Sequence, residues 1–143
     1  MITPSFTHTH TIETDVPVEA IWSLYEDVTT WPSWDAQAEL ITREGPFVAG
    51  STGTMKFAGQ DPLPYRLVTV EPLREFTDEI PVGDLVVRVS HQLERVDPSR
   101  LSITYSLEID GPGDQARQLG PIIIADFPAT MASLLALAKE RSA

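Results

Sequence analysis

Two runs of strict alternation in the second half of the chain constrain its fold most. In the first, Leu85, Val87, Val89, His91 and Leu93 share one parity while Arg88, Ser90, Gln92 and Glu94 share the other. In the second, Leu101, Ile103, Tyr105, Leu107 and Ile109 oppose Ser102, Thr104, Ser106 and Glu108. A period of two is a strand, and so clean a division means a sheet with one face buried and one face wet. These runs end a longer series. Between Gly50 and Gly113 lie four or five short alternating segments separated by Gly, Pro and Asp, the pattern of an antiparallel meander.

A sheet with one apolar face must cover it. The only element long enough is the last segment, about Ala116 to Arg141, where Phe127, Met131, Leu134, Leu135 and Ala138 form a helical stripe. Pro121 and Pro128 interrupt that segment, so a shorter first piece or a kink near Pro128 is expected. At the other end, Phe6, His8, His10 and Ile12 alternate with threonines as a first strand. A helix then starts at Pro17, with Glu19 in its first turn and Ile21, Leu24, Tyr25 and Val28 at helical spacing. It should break near Trp31-Pro32, because the residue before proline is pushed away from helical backbone. Ala36 to Glu44 reads as the next strand, ended by Gly45-Pro46. The outcome is one α+β domain over residues 1–143: a curved antiparallel sheet of about seven strands around a long C-terminal helix, with two short helices after strand one. One helix does not fill the concavity of such a sheet, and the space left is a pocket for a small molecule.

Composition narrows the function classes. At 143 residues a single domain buries about 70% of its unfolded surface, enough for a core without staples. There is no cysteine, hence no disulfide, thiolate nucleophile or cysteine-bound metal. The formal net charge of −11 repels phosphate backbones and anionic lipid, so neither nucleic acid nor membrane is an expected partner. The N-terminus lacks a basic segment followed by an apolar run, and no uninterrupted apolar stretch is long enough to span a bilayer; a cytoplasmic location is the expectation. Motifs for nucleotide binding, serine hydrolysis and zinc proteolysis are missing. His8 and His10 share a strand face, but without a carboxylate partner near them they are a weak metal signal; no metal or cofactor is expected.

The segments VPVEAIWSLYEDVTTWPSWD, EGPFVAGSTGTMKF, VEPLREFTDEIP and VSHQLERV, with the amphipathic last helix, resemble the START-like superfamily (SRPBCC proteins), in particular its bacterial polyketide cyclase/dehydrase-like branch. Trp-Pro-x-Trp at Trp31–Trp34 is the most specific part, and the likeness spans nearly the whole chain. It implies the helix-grip fold and a small hydrophobic or amphipathic ligand. By the same resemblance, Trp31 and Trp34 are wall and lid at the pocket mouth. Function is implied only as a choice. The options are a cyclase- or dehydratase-like enzyme, a non-catalytic carrier of a lipid, isoprenoid or aromatic metabolite, and a partner-interaction domain whose cavity is vestigial. A homodimer is compatible with all three.

The candidate catalytic residues are His91, Asp78 and Tyr105. His91 is the polar intrusion on an apolar strand face, able to exchange a proton or to sit as a core histidine bonded to a side chain such as Asp78 or Tyr105. Asp78 faces inward if Phe76 does, where burial would raise its pKa for general-base work; a hairpin end near Pro81-Val82-Gly83 that releases it to solvent is the slightly preferred alternative. Tyr105 offers a phenol from the neighbouring strand. Trp31, Trp34, Tyr65, Phe76, Val89, Phe127 and Met131 are the candidate ligand-binding residues, and Asp35 is expected to be a cap or turn residue.

Overall fold

The structure is a computed structural model and describes residues 3–142. Seven antiparallel strands form one sheet in the order β1-β7-β6-β5-β4-β3-β2, with β1 Phe6–Thr14, β2 Ala38–Glu44, β3 Thr52–Phe57, β4 Leu63–Glu71, β5 Glu75–Val82, β6 Leu85–Asp97 and β7 Arg100–Asp110. Only β1 is out of sequence, paired with β7 because two helices, α1 Val18–Glu26 and α2 Trp31–Trp34, carry the chain to the far edge. Helices α3 Gly113–Ile124 and α4 Phe127–Ser142 close the concave side. This is the helix-grip α+β arrangement that the resemblance implies.

Parity holds where it is strongest. Leu85, Val87, His91 and Leu93 of β6 and all five apolar-face residues of β7 are buried, with Val89 half-buried at the wall of a cavity. The outer face carries Arg66, Glu79, Arg88 and Asp110 as a chain of ion pairs across β4 to β7.

Of the two proline expectations, one needs correction and one holds. The first helix breaks at Asp27, whose backbone is extended, and not at Trp31-Pro32. Trp31 is helical, and Pro32 sits in the opening turn of α2, where the donor that proline lacks has no intrahelical partner anyway. The C-terminal helix does come in two pieces, a shorter first one and a longer second, with the break at Ala125-Asp126 just upstream of Pro128. The ring of Pro128 would collide with the carbonyl four residues earlier, that of Ile124, so α3 ends there. The Thr130 N–H then bonds the Asp126 carbonyl at 2.9 Å to open α4, with Pro128 in its first turn. Pro128→Ala is accordingly expected to change stability by no more than about 0.5 kcal/mol in thermal unfolding. A loss of several kcal/mol would mean that the ring does more than end α3 and makes packing contacts on which the fold depends.

The stretch Gly113–Ser142 is long and apolar enough, by length and composition, to cross a membrane, which a search for uninterrupted apolar runs passes over. In this fold Ala116, Phe127, Met131, Leu134 and Ala138 belong to the core.

Candidate functional site

A cavity of about 260 Å³ lies between the concave face of the sheet, α2, and the junction of α3 with α4. Its floor is the inward face of β5 to β7: Asp78, Ile80, Val87, Val89, His91 and Tyr105. Trp31, Trp34 and Asp35 form one wall, and Leu119, Ile122, Ile123, Asp126 and Phe127 the other. Ile122 is 66% exposed, an aliphatic chain standing at the rim. A larger depression, about 500 Å³, lies at the opposite end of β6 among Glu71, Arg74, Glu75, Glu94 and Arg95. It is open and charged and contains none of the buried titratable groups, so the smaller cavity is the candidate site.

Asp78 is 5% exposed. Strand β5 runs unbroken to Val82, so no early hairpin end frees it; the bulge in this region falls on β4, at Val68. Burial, then the negative charge of Asp35, push its carboxyl up to about 7, against the opposing pull of the Val89 N–H and its own backbone N–H. A carboxyl at that value gives and takes protons equally well near neutrality. Asp35 makes the expected turn, accepting from the Gln37 N–H at 3.0 Å, but it also lines the cavity. Its pKa is raised, first by burial and then by Asp126.

His91 is 7% exposed and inward, but its partner is neither Asp78 nor Tyr105. Nδ1 lies 3.2 Å from the Phe76 carbonyl, because His91 and Phe76 are directly paired across β5 and β6 and their rings stack at 3.9 Å. Asp78 pairs instead with Val89, two positions along. A carbonyl only accepts, so Nδ1 carries the hydrogen and Nε2 is a bare acceptor. No fully buried side-chain nitrogen or oxygen lacks a partner among the described residues, so Nε2 keeps its access to the cavity. Burial pulls the imidazole down to about 3, and it is neutral at any physiological pH.

Tyr105 lines the cavity, its hydroxyl 3.5 Å from that of Tyr25 and its pKa well above the usual value through burial. Sequence reasoning placed Tyr25 only in a helical stripe; its role behind Tyr105 depends on a long-range contact between α1 and β7 that no local pattern reveals. Trp31 and Trp34 do line the cavity, with their indole N–H groups bonded to the Tyr25 carbonyl at 3.0 Å and the Thr30 hydroxyl at 3.3 Å. Those bonds fix them as wall. Val89 and Phe127 also line it, whereas three candidates lie outside. Tyr65 crosses β3 over Gly53, where a Cβ would stand 2.6 Å from its ring, and donates to the Thr42 carbonyl at 2.7 Å. Phe76 is covered by the His91 ring, and Met131 is a turn deeper than Phe127 along α4, in the core. His8 and His10 lie on β1, separated from the His91 strand by β7, and no metal-holding group of three or more His, Cys, Asp or Glu exists among the described residues.

With this geometry in hand, comparison with solved structures gives relatives in fold. The aromatase/cyclase Zhui from Streptomyces sp. R1128 superposes with a TM-score of 0.80 at 14% identity, over 96% of each chain. Norcoclaurine synthase from Thalictrum flavum, in complex with dopamine and hydroxybenzaldehyde, gives 0.75 at 15% identity, over 94% of this chain and 87% of that one. A hypothetical protein from Helicobacter pylori gives 0.80 at 12% identity, over 94% and 89%. Comparison with curated proteins gives no match. The model of the family described as polyketide cyclase / dehydrase and lipid transport matches residues 5–141. That match takes in every strand and nearly all of α4, so the chain belongs to the polyketide cyclase/dehydrase and lipid transport family.

Proposed function

We propose that this protein binds a small, ring-bearing amphipathic molecule in the cavity and acts on it as a cyclase- or dehydratase-type enzyme, with Asp78 as the proton-transferring group. The observation that carries this reading is the setting of Asp78: a nearly inaccessible carboxyl, poised near neutrality, on a cavity floor otherwise made of Ile80, Val87, Val89, Tyr105 and His91 with its bare Nε2. Proton removal next to a carbonyl and protonation of a departing hydroxyl both need a group of that pKa. Trp31, Trp34, Val89 and Phe127 hold a flexible substrate folded, which is how a chamber with few polar groups accelerates ring closure. The cavity is somewhat smaller than the ~300–1,000 Å³ typical of drug-sized ligands, so one or two rings are the natural occupant. Family membership and the aromatase/cyclase fold relative support the same class.

A carrier reading draws on one specific observation. His91 and Tyr105 each spend a hydrogen-bonding atom inside the protein, on the Phe76 carbonyl and the Tyr25 hydroxyl, which suits a passive wall. Native mass spectrometry of protein purified from its own host identifies the bound molecule and its mass. Incubating that molecule or its precursor with the protein is expected to yield product, and Asp78→Asn to slow turnover about 100-fold while binding persists. A ligand returned unchanged, with turnover absent in both proteins, would establish the carrier.

A further inference from the structure

The charges around the cavity are of one sign. Asp35, Asp78 and Asp126 line it, and no Lys or Arg does among the described residues. Asp35 is the middle member, since its charge acts on Asp78 and that of Asp126 acts on it. On the outer surface carboxylates find cations: Glu79 and Asp110 take Arg88, Glu39 takes Lys56, Glu13 takes Arg100 and Asp114 takes Arg117. None of the three cavity carboxylates is in an ion pair among the described residues. Asp78 lies deep among Ile80, Val87 and Val89, where an uncompensated carboxylate is costly. From the floor of β6 the acceptor Nε2 of His91 also opens to the chamber, while Gln37, Gln60 and Thr130 add only neutral polar groups to its lining. Carboxylates and an imidazole acceptor want a partner rich in N–H. The three aspartates are not drawn together as a metal-holding group among the described residues, an arrangement that suits an extended organic cation. Trp31, Trp34, Tyr105 and Phe127 present ring surface to it, which attracts an organic cation as well.

We infer that the molecule bound here carries a protonated amine or other cationic nitrogen, seated beside Asp35 and Asp78, with its ring system against Trp31, Trp34 and Phe127. This rests on the cavity being the binding site and specifies the ligand class that site selects. It also gives Asp78 its working state, because a neighbouring ammonium holds the carboxyl ionised and so makes it a base. The other carboxyl facing Asp78 whose pKa is raised is Asp35, by burial and then by Asp126. Asp35 and Asp126 add negative charge, His91 is neutral, and Tyr65, Tyr105 and Tyr25 are held protonated by burial.

The test uses three probes with one ring system: 2-naphthylmethylamine, 2-naphthylmethanol and 2-naphthoate, titrated by calorimetry into the full chain. At pH 8 the amine is expected to bind about 10- to 100-fold more tightly than the alcohol, the range of a charge-assisted hydrogen bond, with naphthoate weakest. Between pH 6 and pH 8 the ionised fraction of a carboxyl at about 7 rises from about 0.1 to about 0.9, so the amine should gain up to about tenfold while the alcohol is unmoved. Asp78→Asn should abolish the amine preference and its pH dependence while leaving the alcohol bound, and Asp35→Asn should reduce the preference. Equal binding of amine and alcohol overturns the inference but not the site. A preference that survives both substitutions also overturns it, being then a property of the whole protein's negative charge. Failure of all three probes to bind overturns both the inference and the cavity as a binding site.

Discussion

Phe76→Ala is expected to destabilise the protein by about 3–5 kcal/mol, the range for removing a fully buried aromatic ring. Phe76 is 0% exposed and stands where three layers meet. Its ring stacks on His91 of β6 at 3.9 Å and lies 4.9 Å from Tyr25 of α1, 5.6 Å from Trp31 of α2 and 5.3 Å from Phe47 of the loop between β2 and β3. Its neighbours come from separate elements and the Trp31 indole is anchored by its hydrogen bond to the Tyr25 carbonyl, so they resist collapse into the vacated volume, and the cost belongs at the upper part of the range. For a domain of this size each kcal/mol lowers the melting temperature by about 2–4 °C, so a fall of about 10 °C is the expected reading in thermal unfolding. A fall of less than about 3 °C would mean that the cluster repacks and that the cavity floor is soft.

The same cluster shows which parts of the molecule are legible in its sequence. The faces of β6 and β7 follow from parity, because a slip of one residue would expose Val87, Leu93, Ile103 and Ile109 together, at about 1.5–3 kcal/mol each. That energy is local to a strand and written in its pattern. The partner of His91 is not: it follows from the register that places His91 opposite Phe76 and Val89 opposite Asp78, a relation between strands. Asp78 itself turned on whether β5 continues past it. The Pro81-Val82-Gly83 signal marks the true hairpin end, with Val82 paired to Leu85, and Asp78 lies well inside the strand.

Proline and tyrosine illustrate the same division. Pro32 ends a helix only if a helix precedes it without interruption, and the extended Asp27 had already supplied the interruption. Tyr65 shares the buried side of β4, yet Gly53 opposite it admits the ring flat across β3 and leads the hydroxyl to Thr42. A glycine within a strand is a sequence signal for such an approach. Asp35 was recognisable as a turn residue, and that role is real; its second role needs β5 and the junction of α3 and α4 to be brought to the same chamber.

Asp78→Asn is expected to make the protein more stable at pH 8 by a few kcal/mol, and no more stable at pH 4. The folded-state pKa is raised to about 7, against about 3.9 for an unfolded chain. Between those values the folded protein keeps a proton that the unfolded chain releases, so the contribution of Asp78 to stability is fully present below about pH 3.9 and is lost as pH rises through 7. The loss is at most about 4 kcal/mol, the free energy that separates a carboxyl titrating at about 7 from one at about 3.9. Asparagine has the same shape and never ionises, so it escapes that penalty, and urea midpoints of the two proteins should diverge steadily from pH 4 to pH 8. His91 has the opposite sign. Its pKa is pulled down to about 3 by burial, so its contribution is present above the unfolded value of about 6.5 and is lost as pH falls through 3. In the wild-type protein the two slopes oppose each other between about pH 4 and pH 6.5 and flatten the profile. In Asp78→Asn only the His91 slope remains, and stability should climb with pH across that interval. A difference between the two proteins that does not change with pH would contradict the raised pKa, and with it the assignment of Asp78 as the group that exchanges the proton. Divergence of that size would show that a neutral isostere serves the fold better than Asp78 near neutrality, the trade-off expected if the carboxyl is retained for the proton transfer proposed above.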